Sequence, residues 1–193
     1  DRIEKKVLLN APHERVWQAI SDSTQFGAWF GVAFDAPFVE GARLTGKIVP
    51  TTVDAEVAAM QKPHEGKPFD VVVERIEPMQ RISFRWHPFA IEPGVDYADE
   101  PMTLIVFELE AVSGGTRLTL PDSGFDHIPL VHRASPFAAH AGCRPMPTTL
   151  ISQYLASAPP PRAAAQPPPR APPPASPPPL APHPCRRAHR RAR

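Results

Sequence analysis

Polar and apolar residues alternate from Ile3 to Leu9, with Ile3, Lys5, Val7 and Leu9 on one side and Glu4, Lys6 and Leu8 on the other. A period of two is a strand. Asn10-Ala-Pro12 stops it, and Pro12 suits the first turn of a helix, where its missing N–H costs nothing. Val16, Trp17, Ala19 and Ile20 then recur at helical spacing. Ser21-Asp22 ends this helix and can cap a second short one, which carries Phe26, Trp29 and Phe30. Strands are expected over Gly31–Val39 and Ala42–Val49, joined at Glu40-Gly41, and then over Phe69–Ile76, Gln80–His87, Met102–Glu110 and Thr116–Leu120. The alternation is sharpest in Gln80–His87, where Ile82, Phe84 and Trp86 face one side and Ser83, Arg85 and His87 the other. Ser113-Gly-Gly115 reads as a hairpin turn. Two stretches lack a pattern. Pro50–Pro68 is expected to be a long connector, either a flap over a cavity mouth or an ordinary mobile loop, and Pro88–Pro101 a second, acidic one.

A last helix is expected from near Asp126, with Ile128, Leu130, Val131 and Phe137 as its early apolar residues and with Asp122 and Asp126 favourably placed at its N-terminus. It is interrupted near residues 143–149, where Pro145 and Pro147 would each cost roughly 3 kcal/mol in a helix interior. Leu150–Ala156 returns to helical character. Cys143 to Thr149 has the look of a local change of reading frame that later corrects itself.

Composition divides the chain in two. Of 28 prolines, 14 lie after Ala158, and the residues from Ser157 onward hold seven arginines and no acid. A body over 1–156 and a disordered Pro/Ala/Arg-rich tail over 157–193 are therefore expected. The net charge of +1 hides this segregation: without the tail, 14 basic residues stand against 20 acidic ones. An acidic body argues against nucleic-acid binding there. Two cysteines, Cys143 and Cys185, give no disulfide framework and suggest a reducing, cytoplasmic setting. No apolar run approaches the length of a membrane span.

The run Ala-Pro-x-x-x-Val-Trp-x-Ala-Ile-Ser-Asp, the Phe-x-x-Trp helix after it, and the later Phe-Glu-Leu-Glu, Gly-Gly-Thr-Arg-Leu-Thr and Asp-Ser-Gly-Phe segments resemble the START-like or SRPBCC superfamily. Phe-Arg-Trp-His-Pro and Gly-Phe-Asp-x-Ile-Pro-Leu resemble its branch of Aha homologues, named after an activator of a heat-shock chaperone ATPase. The resemblance covers about residues 1–155. It implies an α+β helix-grip fold, in which a curved antiparallel sheet of about six or seven strands wraps a long C-terminal helix and two short helices follow the first strand. It also implies a cavity between sheet and helix that holds a small apolar ligand.

The residues expected on the inner surface are Trp17, Phe26, Trp29, Phe30, Phe84, Trp86 and Phe107. Arg85 and His87 are candidate polar anchors for a carboxylate or carbonyl, provided their face turns inward, whereas Ile82, Phe84 and Trp86 fit the inward face better. The histidines are scattered, with no ligand spacing for a metal, and no catalytic residue or cofactor is assigned. Three functions follow in order: a non-enzymatic binder of an apolar ligand, a polyketide cyclase or aromatase-like enzyme, and an Aha-like protein with a chaperone partner.

Overall fold

The computed structural model describes residues 2–87, 97, 100–128 and 146–157. The chain divides into Asp1–Pro160 and Pro161–Arg193, and the second unit lies outside the described residues. So do most of the expected loop from Pro88, the segment carrying Leu130, Val131 and Phe137, Pro145, and the expected tail from Ala158 onward. Among the described residues no helix is long and apolar enough to cross a membrane.

Seven strands form one antiparallel sheet: β1 (Arg2–Leu9), β2 (Val32–Ala33), β3 (Arg43–Ile48), β4 (Pro68–Glu77), β5 (Arg81–Trp86), β6 (Thr103–Val112) and β7 (Gly115–Ser123). Their order is β1-β7-β6-β5-β4-β3-β2, so the first strand closes one flank against the last. Helices α1 (His13–Ser21) and α2 (Ser23–Phe30) follow β1, α3 (Ala55–Gln61) precedes β4, and α4 (Met146–Ser157) ends the described chain. This is the α+β helix-grip arrangement that the resemblance implies.

The register sorts side chains onto two faces. One row across the sheet runs Ile3, Asp122, Ile105, Phe84 and Val73, and a second runs Thr103, Trp86, Val71 and Leu44. Successive side chains in a strand alternate, so these rows share the inner face. Val71, Val73, Phe84, Trp86, Ile105 and Leu120 are buried there together with Val16, Ala19 and Ile20 of α1 and Leu150 and Ile151 of α4. The outer face carries ion pairs such as Arg117–Glu110 and Arg85–Glu74.

Capping explains the helix pair. Asp22 closes α1 through its backbone N–H, which donates to the Gln18 carbonyl, and opens α2 through its side chain, whose Oδ1 accepts from the Gln25 N–H at 2.8 Å. Gly31 then terminates α2 in the left-handed region at φ 92°. A Cβ at Gly31 would also lie 2.3 Å from the Gln61 side-chain nitrogen, so glycine is required twice over.

Three expectations need correction. The strand over Gly31–Val39 shrinks to Val32–Ala33. Pro37 lacks an N–H for a ladder, and Phe34 and Phe38 turn in to meet the Phe26 ring at 6.4 and 5.5 Å. Neither a flap nor a mobile loop describes Pro50–Pro68, because α3 and a 3-10 turn at Lys62–His64 occupy it. Asp54 caps α3 by accepting from the Glu56 and Val57 N–H groups, each at 3.0 Å. Gln61 then bolts it to α2, donating to the Phe30 carbonyl at 2.8 Å and accepting from the Thr51 N–H at 2.8 Å. Asp126 does not open a long helix: Phe125–His127 is a 3-10 turn after Gly124, and Ile128 is extended.

The last described helix begins at Met146, four positions before Leu150, with Pro147 in its first turn where proline is tolerated. Polar contacts seat α4. Gln153 Nε2 donates to Asp54 Oδ2 at 3.1 Å, Tyr154 OH donates to Gln25 Oε1 at 3.4 Å, and the Arg15 guanidinium lies 5.1 Å from the Tyr154 ring centre. Hydrogen bonds from the Val57 N–H and then from Gln153 hold the Asp54 carboxyl below its usual range.

Phe26 is buried at the meeting point of these elements. Replacing it with alanine is expected to lower the free energy of unfolding by about 3–5 kcal/mol in a urea titration. The same change at exposed Val39 should cost less than about 0.5 kcal/mol.

Candidate functional site

Five of the seven aromatic residues expected on the inner surface are fully enclosed: Phe26, Trp29, Phe84, Trp86 and Phe107. Trp17 and Phe30 are half-buried against them. The rings touch one another. Phe26 lies 4.8 Å from Trp29, 5.0 Å from Phe30, 5.4 Å from Phe84 and 5.8 Å from Phe107, measured between ring centres. Phe30 stacks on Trp86 at 5.4 Å. Edge-to-face pairs of this kind add about 0.5–1.5 kcal/mol each beyond the area they bury. The Trp29 indole N–H donates to the Ala19 carbonyl at 2.8 Å, which satisfies its polar atom inside the core. These aromatics therefore form the packed α2 end of the inner face.

Arg85 stands on the outer face. Its guanidinium grips Glu74 with two bonds, at 2.8 and 3.1 Å, and that contact raises the arginine above its usual range and lowers Glu74 below its own. His87 follows β5, buried, with its ring 6.2 Å from Tyr97. Burial pushes its pKa down. The structure does not bring Arg85 or His87 to the aromatic cluster, in keeping with Ile82, Phe84 and Trp86 as the inward set.

A depression of about 310 Å³ opens on the far side of α2, lined by Gly27, Ala28, Val32, Phe34, Val49 and Pro50 among others. Of the seven aromatics, none lines it. It is a groove beside the cluster and not the space between sheet and α4.

The β1–β7 flank of the inner face is different. Ile3, Lys5 and Val7 alternate inward yet stay only half-buried. Asp122 sits beside them, 6 % exposed, between Ile3 and Ile105. Reading Asp122 as a residue at a helix N-terminus is corrected here, since it belongs to β7 and shares the inner face with Leu118 and Leu120. Burial pushes its carboxyl up to about 7, against a smaller lowering by Lys5 and by the Ser123 N–H. The signal was in the sequence: Thr116, Leu118, Leu120 and Asp122 keep one alternation to the end of the strand.

Comparison with known proteins agrees with this geometry. The sequence model of the Activator of Hsp90 ATPase homolog 1-like family matches residues 10–132. The chain belongs to that family. A search of curated proteins gives no match. Among solved structures, a Mesorhizobium loti protein superposes with a TM-score of 0.56 at 20% identity, covering 81% of this chain and 97% of its own. An Arthrobacter aurescens protein gives 0.59 at 17%, covering 81% and 87%. DynU16, a protein of the dynemicin biosynthetic locus, gives 0.56 at 25%, covering 83% of this chain and 49% of its own length. The fold of this Activator of Hsp90 ATPase homolog 1-like chain is thus the START-like helix grip, with the inner face of the sheet beneath α4.

Within that face Asp122 makes a pH prediction. A carboxyl whose folded pKa is raised from 3.8 to about 7 stabilises the fold most below the unfolded value. That contribution is lost as pH rises from about 4 through 7, and it is constant above. Asp122→Asn should therefore gain on the wild type over this window, by up to roughly 4 kcal/mol. Urea unfolding of both proteins at matched pH measures the difference. A gap that stays flat from pH 4 to 8 contradicts the assignment.

Proposed function

We propose that this domain binds a small apolar ligand on the inner face of the sheet, along the flank where β1 and β7 run beneath α4. One observation supports the reading above the others. The inner-face rows run from the aromatic cluster to β1, broken near their end by Asp122 and Lys5, and Ile3 and Val7 on β1 are only half-buried. An apolar surface left partly open beside a packed aromatic wall is what a greasy ligand would cover. The aromatic end is already filled by its own rings, so it serves as the rigid wall of the site and not as the ligand's bed.

A second reading is a polyketide cyclase or aromatase-like enzyme. Asp122 favours it, because a carboxyl that remains partly protonated near neutrality can donate a hydrogen bond to a carbonyl oxygen of a bound chain. The likeness to a protein of a biosynthetic locus points the same way. Turnover of a poly-carbonyl chain that disappears in Asp122→Asn would select this reading over simple binding.

Native mass spectrometry and uptake of a neutral apolar fluorophore test the binding reading directly. The wild type should take up the probe. Val7→Trp, which adds bulk at the half-open flank, should weaken uptake about tenfold with little change in melting temperature. Arg85→Met, on the outer face, should leave uptake unchanged. Wild-type protein that excludes the probe and carries no ligand overturns the proposal.

A further inference from the structure

The groove beside α2 lies apart from the inner face, and it holds a hydroxyl that the fold does not use. Its floor comes from a close approach of two elements. The sheet ends at β2, where Val32 pairs with Ile48. The Ile48 N–H donates to the Lys67 carbonyl, and the Ile48 carbonyl accepts from the Gly66 N–H, both just before β4. Val32 therefore sits at a pair without ladder bonds, and its own N–H and C=O point away from β3. The carbonyl oxygen comes so near α2 that a Cβ on Gly27 would collide with it. α2 thus covers the sheet edge at Val32, and an added peptide strand would find no ladder there to extend.

What the edge leaves is a recess of about 310 Å³, at the small end of the range for ligand pockets. Its apolar wall is partly open: Val32 is buried, Phe34 is half-buried, and Val49 is 45 % exposed. Ser23, the first residue of α2, lines the same recess and is only 8 % exposed. The cap of α2 is the Asp22 side chain, so the helix does not need the serine for that purpose. Among the described residues the Ser23 hydroxyl has no hydrogen-bond partner, and its oxygen is not sealed from solvent. A polar group this deep is ordinarily paired, and a ligand in the recess is in position to pair it.

The lining selects the ligand's chemistry. None of the described residues around the recess is charged, so an ion would lose hydration there without a counter-charge. A serine hydroxyl donates and accepts, which suits another hydroxyl. The half-buried Phe34 offers a ring against which a second ring can pack. We propose that this recess is a second binding site, for a small neutral aromatic molecule whose ring lies against Phe34, Val32 and Val49 and whose hydroxyl bonds to Ser23. The site is separate from the inner face, and neither reading depends on the other.

The test is backbone-amide NMR of the full chain, titrated at neutral pH with para-cresol, toluene and para-toluate. Para-cresol should shift the amides of α2, Val32 and Val49 saturably, whatever it does at β1 and β7. Read from those amides, it should bind about fivefold more tightly than toluene, the scale of one neutral hydrogen bond. The para-toluate anion should leave them unmoved. Ser23→Ala should bring para-cresol within about twofold of toluene. Ala28→Phe, which adds a ring at an exposed position of α2 in the recess wall, should abolish the shifts with both. The wild-type comparison stands even where a variant fails to fold. Amides of α2, Val32 and Val49 that do not respond to para-cresol overturn the site and leave the inner-face reading to its own probe. Equal affinity for para-cresol and toluene, or a preference that survives Ser23→Ala, overturns the role given to the hydroxyl.

Discussion

The fold depends on where the Phe26 ring goes. It projects from an eight-residue helix too short to be stable in isolation. What fixes that helix is contact: the Phe26 ring meets Trp29 and Phe30 from its own helix, Phe34 and Phe38 from the following loop, Phe84 from β5 and Phe107 from β6. Full burial of one such side chain contributes about 1.5–3 kcal/mol, more than the helix's own propensity can supply. The loop from Phe34 to Phe38 leaves the sheet for the same reason. Two rings offered to the cluster outweigh a few ladder bonds that Pro37 would in any case weaken.

Once α2 is seated, its C-terminal carbonyls become fixed points. Thr51 donates its hydroxyl to the Trp29 carbonyl at 3.0 Å, and Gln61 donates to Phe30. These bonds turn the segment before β4 into a strut carrying α3, whose Asp54 cap in turn holds Gln153 of α4. The chain from Phe26 to α4 is continuous: ring packing places α2, α2 places α3, and α3 helps place the helix that lies over the sheet. Each link is modest, and polar links of this kind contribute about 1 kcal/mol apiece. Their value lies in fixing one arrangement of α4.

Most strands were legible because one face is buried and the other solvated, so hydropathy follows the pleat; buried Leu44 and Ile48 against exposed Arg43, Thr45 and Lys47 in β3 show it directly. The α1–α2 pair was legible from Pro12 and Asp22, whose roles are local. What escaped depends on distant partners. α3 is seven residues of which Val57 alone is buried, and Gln61 and Asp54 tie it to other elements. The aromatics were identified as one set, but only the packed rings distinguish a wall from a ligand bed. A carboxylate near an expected helix start suggests a cap, whereas the unbroken alternation of β7 puts Asp122 inside.

Dense ring packing and a half-buried flank thus occupy different ends of one face. At the α2 end, rings fill the space and satisfy one another, leaving no room that a ligand would have to empty. At the β1 flank, the same rows end in half-buried Ile3 and Val7, and a buried carboxyl sits where an apolar residue would pack better. Burial of that group disfavours its charged form and raises its pKa. The aromatic cluster is large enough to tolerate such a loss. A carboxyl buried on the less tightly packed flank of a largely apolar face is a place where this fold gives up stability that an apolar residue would supply.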